Sequence, residues 1–191
     1  MPDSRPGTVQ PRRALRYSVL FVCTGNICRS AYAECRSRRL DIPELEFNSA
    51  GTHALVGHSM EHHMVELLPE PGVAAGFAAR QITRELGSSM DLLLVMEGEQ
   101  RQWIIDEFPE LVRRTFLLGH AARELRGFPE DGPLEQVAEH LWRRRTRADD
   151  DIPDPYRRGW AAAQESAAMI DAGLNVVLQV LRSAAQRRRD E

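Results

Sequence analysis

No lysine occurs in this chain of 191 residues, and all 25 basic side chains are arginine. That absence excludes a Walker-type phosphate loop, a pyridoxal Schiff base and any lysine nucleophile or general base, since each needs an ammonium group. Codon bias toward arginine is the simplest origin of the composition. Its chemical consequence is that any anion must be held by guanidinium groups and backbone amides. Strong charge of either sign is also missing, with a formal net charge of -3. Arginines interleave with acids, so no basic face for nucleic acid is readable. The short runs Arg38–Arg39, Arg143–Arg145 and Arg187–Arg189 read as solvated helix surface. No apolar run reaches membrane-spanning length, and no apolar segment precedes Ala14 as a secretory signal would require. No membrane insertion is expected, and a cytoplasmic location is the default. The chain has only three cysteines, Cys23, Cys28 and Cys35, crowded into one segment and odd in number, which is no disulfide framework.

What remains is one domain of ordinary size, with a mean hydropathy of -0.41. Residues 1–14 carry three prolines, four charges and little to bury, and are expected to form a disordered tail. The domain is expected over 15–191. YSVLFVC at 17–23 suits a buried strand of a parallel sheet, and Ser30 can cap a helix running to about Leu40. LEFNSAG at 45–51 reads as a second strand, and about Ser59 to Leu68 as a second helix. MDLLLVM at 90–96 reads as a central strand, Glu99–Glu107 as a helix and TFLL at 115–118 as a fourth strand. A longer, variable and polar stretch follows at about 121–150, with a helix expected at 134–146. Apolar residues from Trp160 to Leu181, spaced by three and four, predict a long amphipathic helix. The alternation specifies an α/β fold with a parallel sheet, whose ligand site lies at the carboxyl ends of its strands.

The first strand ends at Cys23, and Thr24-Gly25-Asn26-Ile27-Cys28-Arg29-Ser30 leads into the first helix. A loop of this length can turn successive N–H groups inward as an anion nest, reinforced by the helix N-terminus. The same field favours the thiolate of a cysteine at the start of the loop. Arg29 can fork two N–H groups onto phosphate oxygens, and Ser30 can donate to the sulfur. Cysteine, five residues, then arginine is far more specific than a lone buried cysteine, which is usually packing. Phosphoryl transfer through the thiol also needs an acid for the leaving group. Asp154, between Pro153 and Pro155, is the candidate, because the prolines stiffen its backbone.

These motifs resemble the low-molecular-weight protein tyrosine phosphatases. The resemblance rests on VCTGNICRS at 22–30 with AE at 33–34, SAGT at 49–52, ARQIT at 79–83 and DPY at 154–156, and spans about residues 16–183. SAGTHALVGH, DLLLVME and IPDPYR are most similar to the bacterial exopolysaccharide-type members. The resemblance implies a four-stranded parallel sheet flanked by helices on both faces, with the phosphate-binding loop after strand 1. It implies hydrolysis of phosphotyrosine through a phosphocysteine on Cys23, with Arg29 as phosphate clamp and Asp154 as acid, then base. Thr24, Gly25, Asn26, Ile27, Cys28, Ser30 and Tyr156 become substrate-binding residues, with Ile27 and Tyr156 as cleft walls and Asn26 and Ser49 bracing the loop. Cys28 matches the second loop cysteine, which can trap an oxidised nucleophile as a disulfide. No metal or organic cofactor is implied, and the implied partner is a phosphotyrosine protein such as an autophosphorylating bacterial tyrosine kinase.

Three positions depart from the family pattern. Ala31 replaces a usual proline, Phe77 a usual histidine beside the loop asparagine, and Leu55 a usual tryptophan wall. The rival readings are an arsenate reductase of the same fold using a small thiol, a protein-arginine phosphatase and a phosphoprotein-binding module. The thioredoxin-coupled reductase needs two later cysteines, and none follows Cys35. Arginine phosphatases typically carry threonine where Ile27 stands. Cys23, Arg29 and Asp154 together speak against a module without catalysis. His58, His62 and His63 cluster in sequence and are expected on helix surface rather than around a metal.

Overall fold

Every side chain of the first strand, β1 (Tyr17–Cys23), is buried, which an apolar run achieves only when both sheet faces are covered. The computed structural model describes residues 16–190, so the tail expected at 1–14 lies outside the described residues. β1 pairs in parallel with β2 (Leu45–Gly51) on one side and β3 (Leu92–Val95) on the other, and β3 pairs in parallel with β4 (Thr115–Leu117). The order β2-β1-β3-β4 reverses direction at β1. The crevice beyond the carboxyl ends of β1 and β3 is therefore the switch point where an open α/β sheet binds ligands.

Alternation along β1 divides the core. Val19, Phe21 and Cys23 face one layer, with α1 (Arg29–Arg38), α5 (Leu118–Glu124) and α7 (Gly159–Asp190). Leu20 and Val22 face the other, packing with Ile82, Ile104 and Leu111 around α3 (Arg84–Ser88) and α4 (Gly98–Glu107). Ile170, Leu174, Val177 and Leu181 form the buried stripe of α7, as the spacing of three and four requires.

Four elements differ from expectation. α1 begins at Arg29 with Cys28 at its N-cap and no side-chain cap, because the Ser30 hydroxyl is turned toward Cys23. α2 is only His62–Glu66, since the Glu61 N–H is taken by the Ile27 carbonyl, which leaves Glu61 extended as the N-cap. β4 stops at Leu117, and Leu118 opens α5, whose apolar residues Leu118, Ala121 and Ala122 are buried. The helix expected at 134–146 is a 3-10 turn at Leu134–Gln136 followed by α6 (Val137–Trp142). It ends where three consecutive arginines would crowd like charge.

Candidate active site

Four carbonyls of the loop after β1 are claimed by the segment outside it. Cys23 O accepts from Thr52 N–H at 2.9 Å, Thr24 O from His53 at 2.9 Å, Gly25 O from Leu55 at 3.0 Å and Ile27 O from Glu61 at 2.8 Å. In a planar trans peptide the following N–H points the opposite way, so the amides of Thr24, Gly25, Asn26 and Cys28 face inward. Asn26 N–H reaches Cys23 Sγ at 3.3 Å, as that geometry requires. The amides and the start of α1 form a cradle for an oxyanion directly over the sulfur. Gly51 makes the close packing possible: a Cβ there would lie 2.4 Å from Thr24 O.

Asn26 holds the loop shape from within. Its φ of 54° is left-handed, a region asparagine tolerates better than most residues. Its Nδ2 donates to Ser30 Oγ at 2.9 Å and Ser49 Oγ at 2.8 Å, and its Oδ1 accepts from Arg80 N–H at 2.8 Å. Ser49 in turn donates to Glu34 Oε2 at 2.6 Å. The bracing network is complete with Phe77 packed partly buried against the core in place of the usual histidine. Ser30 Oγ lies 3.0 Å from Cys23 Sγ, and its single proton can turn either there or to Ala50 O. The amide of Asn26 and the hydroxyl of Ser30 thus both serve negative charge on the sulfur. Burial, then the adjoining Cys23, Asp154 and Glu61, push the Cys28 thiol well up.

Arg29 is 1% exposed and ties the loop to two distant segments. Its Nη1 donates to Ile152 O at 2.8 Å and pairs with Glu97 Oε2 at 2.6 Å, while Nη2 stands 3.2 Å from Asp154 Oδ2. Its buried Nε has no partner among the described residues and remains a donor for an anion. Glu97 follows β3 and closes a capping box with Gln100 at the start of α4, and Gln100 Nε2 reaches Thr24 Oγ1 at 3.3 Å. Sequence reasoning did not single out Glu97, Gln100 or Arg80. The position of Glu97 after a central parallel strand was the available signal.

Asp154 is presented on a stiff, anchored loop. Ile152 N–H bonds Met96 O at 2.8 Å, Gly98 N–H bonds Asp151 Oδ1 at 2.8 Å, and Asp150 is gripped by Arg123 at 2.9 Å. Desolvation opposes the charge on Asp150, but hydrogen bonds from Arg123 and the Arg147 amide prevail and hold its carboxyl below the usual range. Gly119 permits that packing, because its Cβ would sit 2.4 Å from Asp150 O. Asp154 itself is partly exposed, and its Oδ1 accepts from Tyr156 N–H at 3.2 Å. The resulting cleft, about 170 Å³, has Cys23 and Arg29 at its base, Asp154 at its rim and Ile27, Leu55 and Tyr156 as walls. Eight of the ten candidate residues line this cleft, and the other two, Asn26 and Ser30, support the loop from behind. His62 and His63 lie at the start of α2 outside this cleft, while His58 precedes the helix.

Comparison with known proteins agrees with this geometry. Residues 18–131 match the family described as low molecular weight phosphotyrosine protein phosphatase. The low molecular weight protein-tyrosine-phosphatase Etp of Escherichia coli K12 is 33% identical over 155 residues, covering 81% of this chain and 87% of Etp. The crystal structure of the tyrosine phosphatase Wzb from Escherichia coli K30 in complex with phosphate superposes with a TM-score of 0.64 at 30% identity, covering 86% of this chain and 98% of Wzb. A protein-arginine-phosphatase of Geobacillus stearothermophilus is 33% identical over 122 residues, 62% of this chain and 82% of that protein. No helix among the described residues is long and apolar enough to cross a membrane. From the loop geometry and these matches together, the chain belongs to the low molecular weight phosphotyrosine protein phosphatase family, with the protein-tyrosine-phosphatases Etp and Wzb of Escherichia coli among its relatives.

Proposed function

We propose that this protein is a protein-tyrosine phosphatase, with Cys23 as nucleophile, Arg29 as phosphate clamp and Asp154 as general acid and base. The observation that carries the reading is the guanidinium of Arg29 joining the Cys23 loop to Asp154 at 3.2 Å across 125 residues of chain. In the first step the Cys23 sulfur attacks phosphorus, the S–P bond forms and the bond from phosphorus to the tyrosine oxygen breaks. Asp154 donates its proton to that oxygen as it leaves. In the second step water attacks phosphorus and gives a proton to the Asp154 carboxylate. The S–P bond breaks, and inorganic phosphate and the Cys23 thiolate are released. Inward amides and Arg29 stabilise the equatorial oxygens in both transition states.

The chemistry needs no metal or organic cofactor. Ile27, Leu55 and Tyr156 form an apolar slot that suits an aromatic ring better than an alkyl guanidine. The proposed physiological substrate is a phosphotyrosine protein in the cytoplasm, an autophosphorylating tyrosine kinase of exopolysaccharide export being the candidate. The test is turnover of p-nitrophenyl phosphate, phosphotyrosine and phosphoarginine peptides, and thiol-dependent arsenate reduction, in the presence of a metal chelator. Phosphotyrosine peptides are expected to be hydrolysed best. Cys23→Ser abolishes turnover, and Asp154→Ala lowers kcat on the order of 10²-fold or more for a leaving group that needs a proton. Retained activity in the Cys23 variant overturns the mechanism, and faster phosphoarginine or arsenate turnover overturns the substrate assignment.

A further inference from the structure

The inner site does not attract a phosphate dianion by its net charge. Arg29 is the cation at its base, and Glu97 at 2.6 Å and Asp154 at 3.2 Å already answer it. Long-range attraction and selection of the peptide around the phosphotyrosine must come from charges farther out. Two cations follow Asp154 directly in the same loop. Arg157 and Arg158 are both exposed, and among the described residues neither has a carboxylate partner. Their condition contrasts with Arg36, Arg38, Arg39, Arg84 and Arg143, each paired with an acid.

Their placement is specific. The Arg157 guanidinium carbon lies 5.1 Å from the centroid of the Tyr156 ring, a wall of the cleft. Arg158 Nη1 donates to the Asp154 carbonyl at 3.3 Å, which keeps its charge beside the acid without consuming it on a carboxylate. Arg157 also adopts φ 59°, the left-handed region that favours glycine, yet a long cation occupies it. An extended peptide advances about 3.5 Å per residue, so a guanidinium on the cleft wall reaches side chains one to three positions from the phosphotyrosine.

We propose that Arg157 and Arg158 form a second anion subsite at the cleft mouth, which binds carboxylate side chains flanking the phosphotyrosine and makes acidic peptide segments the preferred substrate class. The inference rests on the tyrosine phosphatase reading above.

The test compares kcat/KM of the full chain on three phosphotyrosine peptides of equal length, flanked by glutamate, alanine or arginine, each normalised to p-nitrophenyl phosphate. The glutamate peptide is expected to exceed the arginine peptide by about tenfold at low ionic strength, each rim arginine contributing about threefold. The preference should shrink toward unity between about 0.05 and about 1 M salt as screening shortens the reach of these charges. Arg157→Gly, which suits the left-handed backbone, should cut the preference about threefold, and Arg157→Glu should invert it. Equal turnover of the three peptides overturns the subsite while leaving the phosphatase reading intact. A preference that survives the Arg157→Gly/Arg158→Ala double variant also overturns it. Failure to hydrolyse any phosphotyrosine peptide overturns both.

Discussion

Replacing Asn26 with alanine should both destabilise the protein and disable it, by an amount that the loop geometry allows to be worked out. The side chain is 1% exposed and makes three hydrogen bonds, to Ser30 Oγ, Ser49 Oγ and Arg80 N–H, all between 2.8 and 2.9 Å. A net contribution of about 1 kcal/mol each gives about 3 kcal/mol. Alanine at φ 54° costs roughly 1 kcal/mol more than asparagine, because both carry a Cβ that crowds the following carbonyl but only asparagine has a short polar side chain that offsets it. The total of about 4 kcal/mol is a large part of the ~5–15 kcal/mol that stabilises an ordinary domain, and corresponds to a fall in Tm of about 10 °C. Asn26→Gly restores the backbone term and should recover about 1 kcal/mol. Asn26→Asp keeps shape and backbone but sets a carboxylate beside the Cys23 sulfur, so its kcat should fall more than its stability. Guanidinium unfolding and p-nitrophenyl phosphate turnover on the same samples read both effects. A double-mutant cycle with Ser49→Ala should return a coupling of about 1 kcal/mol. A loss below ~1 kcal/mol for Asn26→Ala, with kcat within about twofold of the parent, refutes the view that this network holds the loop.

Two further perturbations test neighbouring parts. Glu97→Gln removes one of the two carboxylates on Arg29 while keeping its shape, so inorganic phosphate should inhibit several-fold more tightly. Its kcat should drop about tenfold as the guanidinium is less firmly aimed, and unchanged values for both would remove Glu97 from the positioning role. His120 is buried, both ring nitrogens lack partners among the described residues, and burial holds its pKa down to about 4. Since the unfolded chain takes up the proton near pH 6.5 and the folded one near 4, stability should fall as pH drops through that window. The loss approaches ~3 kcal/mol, at about 1.4 kcal/mol per unit. His120→Leu should flatten that part of the pH dependence measured by chemical denaturation, and an unaltered slope counts against the assignment.

The loop from Cys23 to Ser30 was legible because its information is local: a buried strand, a glycine, an asparagine and a helix start stand within eight residues. The sheet was legible for a similar reason, since β1 and β3 are apolar runs that only a sheet covered on both faces can bury, and β2 alternates Leu45 and Phe47 with half-buried Glu46 and Asn48 as an edge strand does. Elements whose limits depend on distant partners were not. α2 is short because the Glu61 amide bonds Ile27 O, and α5 begins at Leu118 because its apolar face lies against α7. Periodicity cannot report such contacts. The polar stretch at 121–150, which had no functional reading in sequence, supplies Arg123 and Asp150, the grip at the base of the loop that presents Asp154.

The sequence by itself determined the loop that carries the proposed nucleophile and the stiff acidic turn that carries the proposed acid, since each is written in a short run of residues. Only the tertiary structure decided that Glu97 and Asp154 share Arg29, that Arg80 completes the hold on Asn26 and that Arg157 lies over the cleft wall. In a chain whose every cation is arginine, composition gives no hint which of them is buried, paired or free. That depends on which carboxylates folding brings within reach, and ion pairs spanning up to 135 residues of chain are set by the fold rather than by any local pattern.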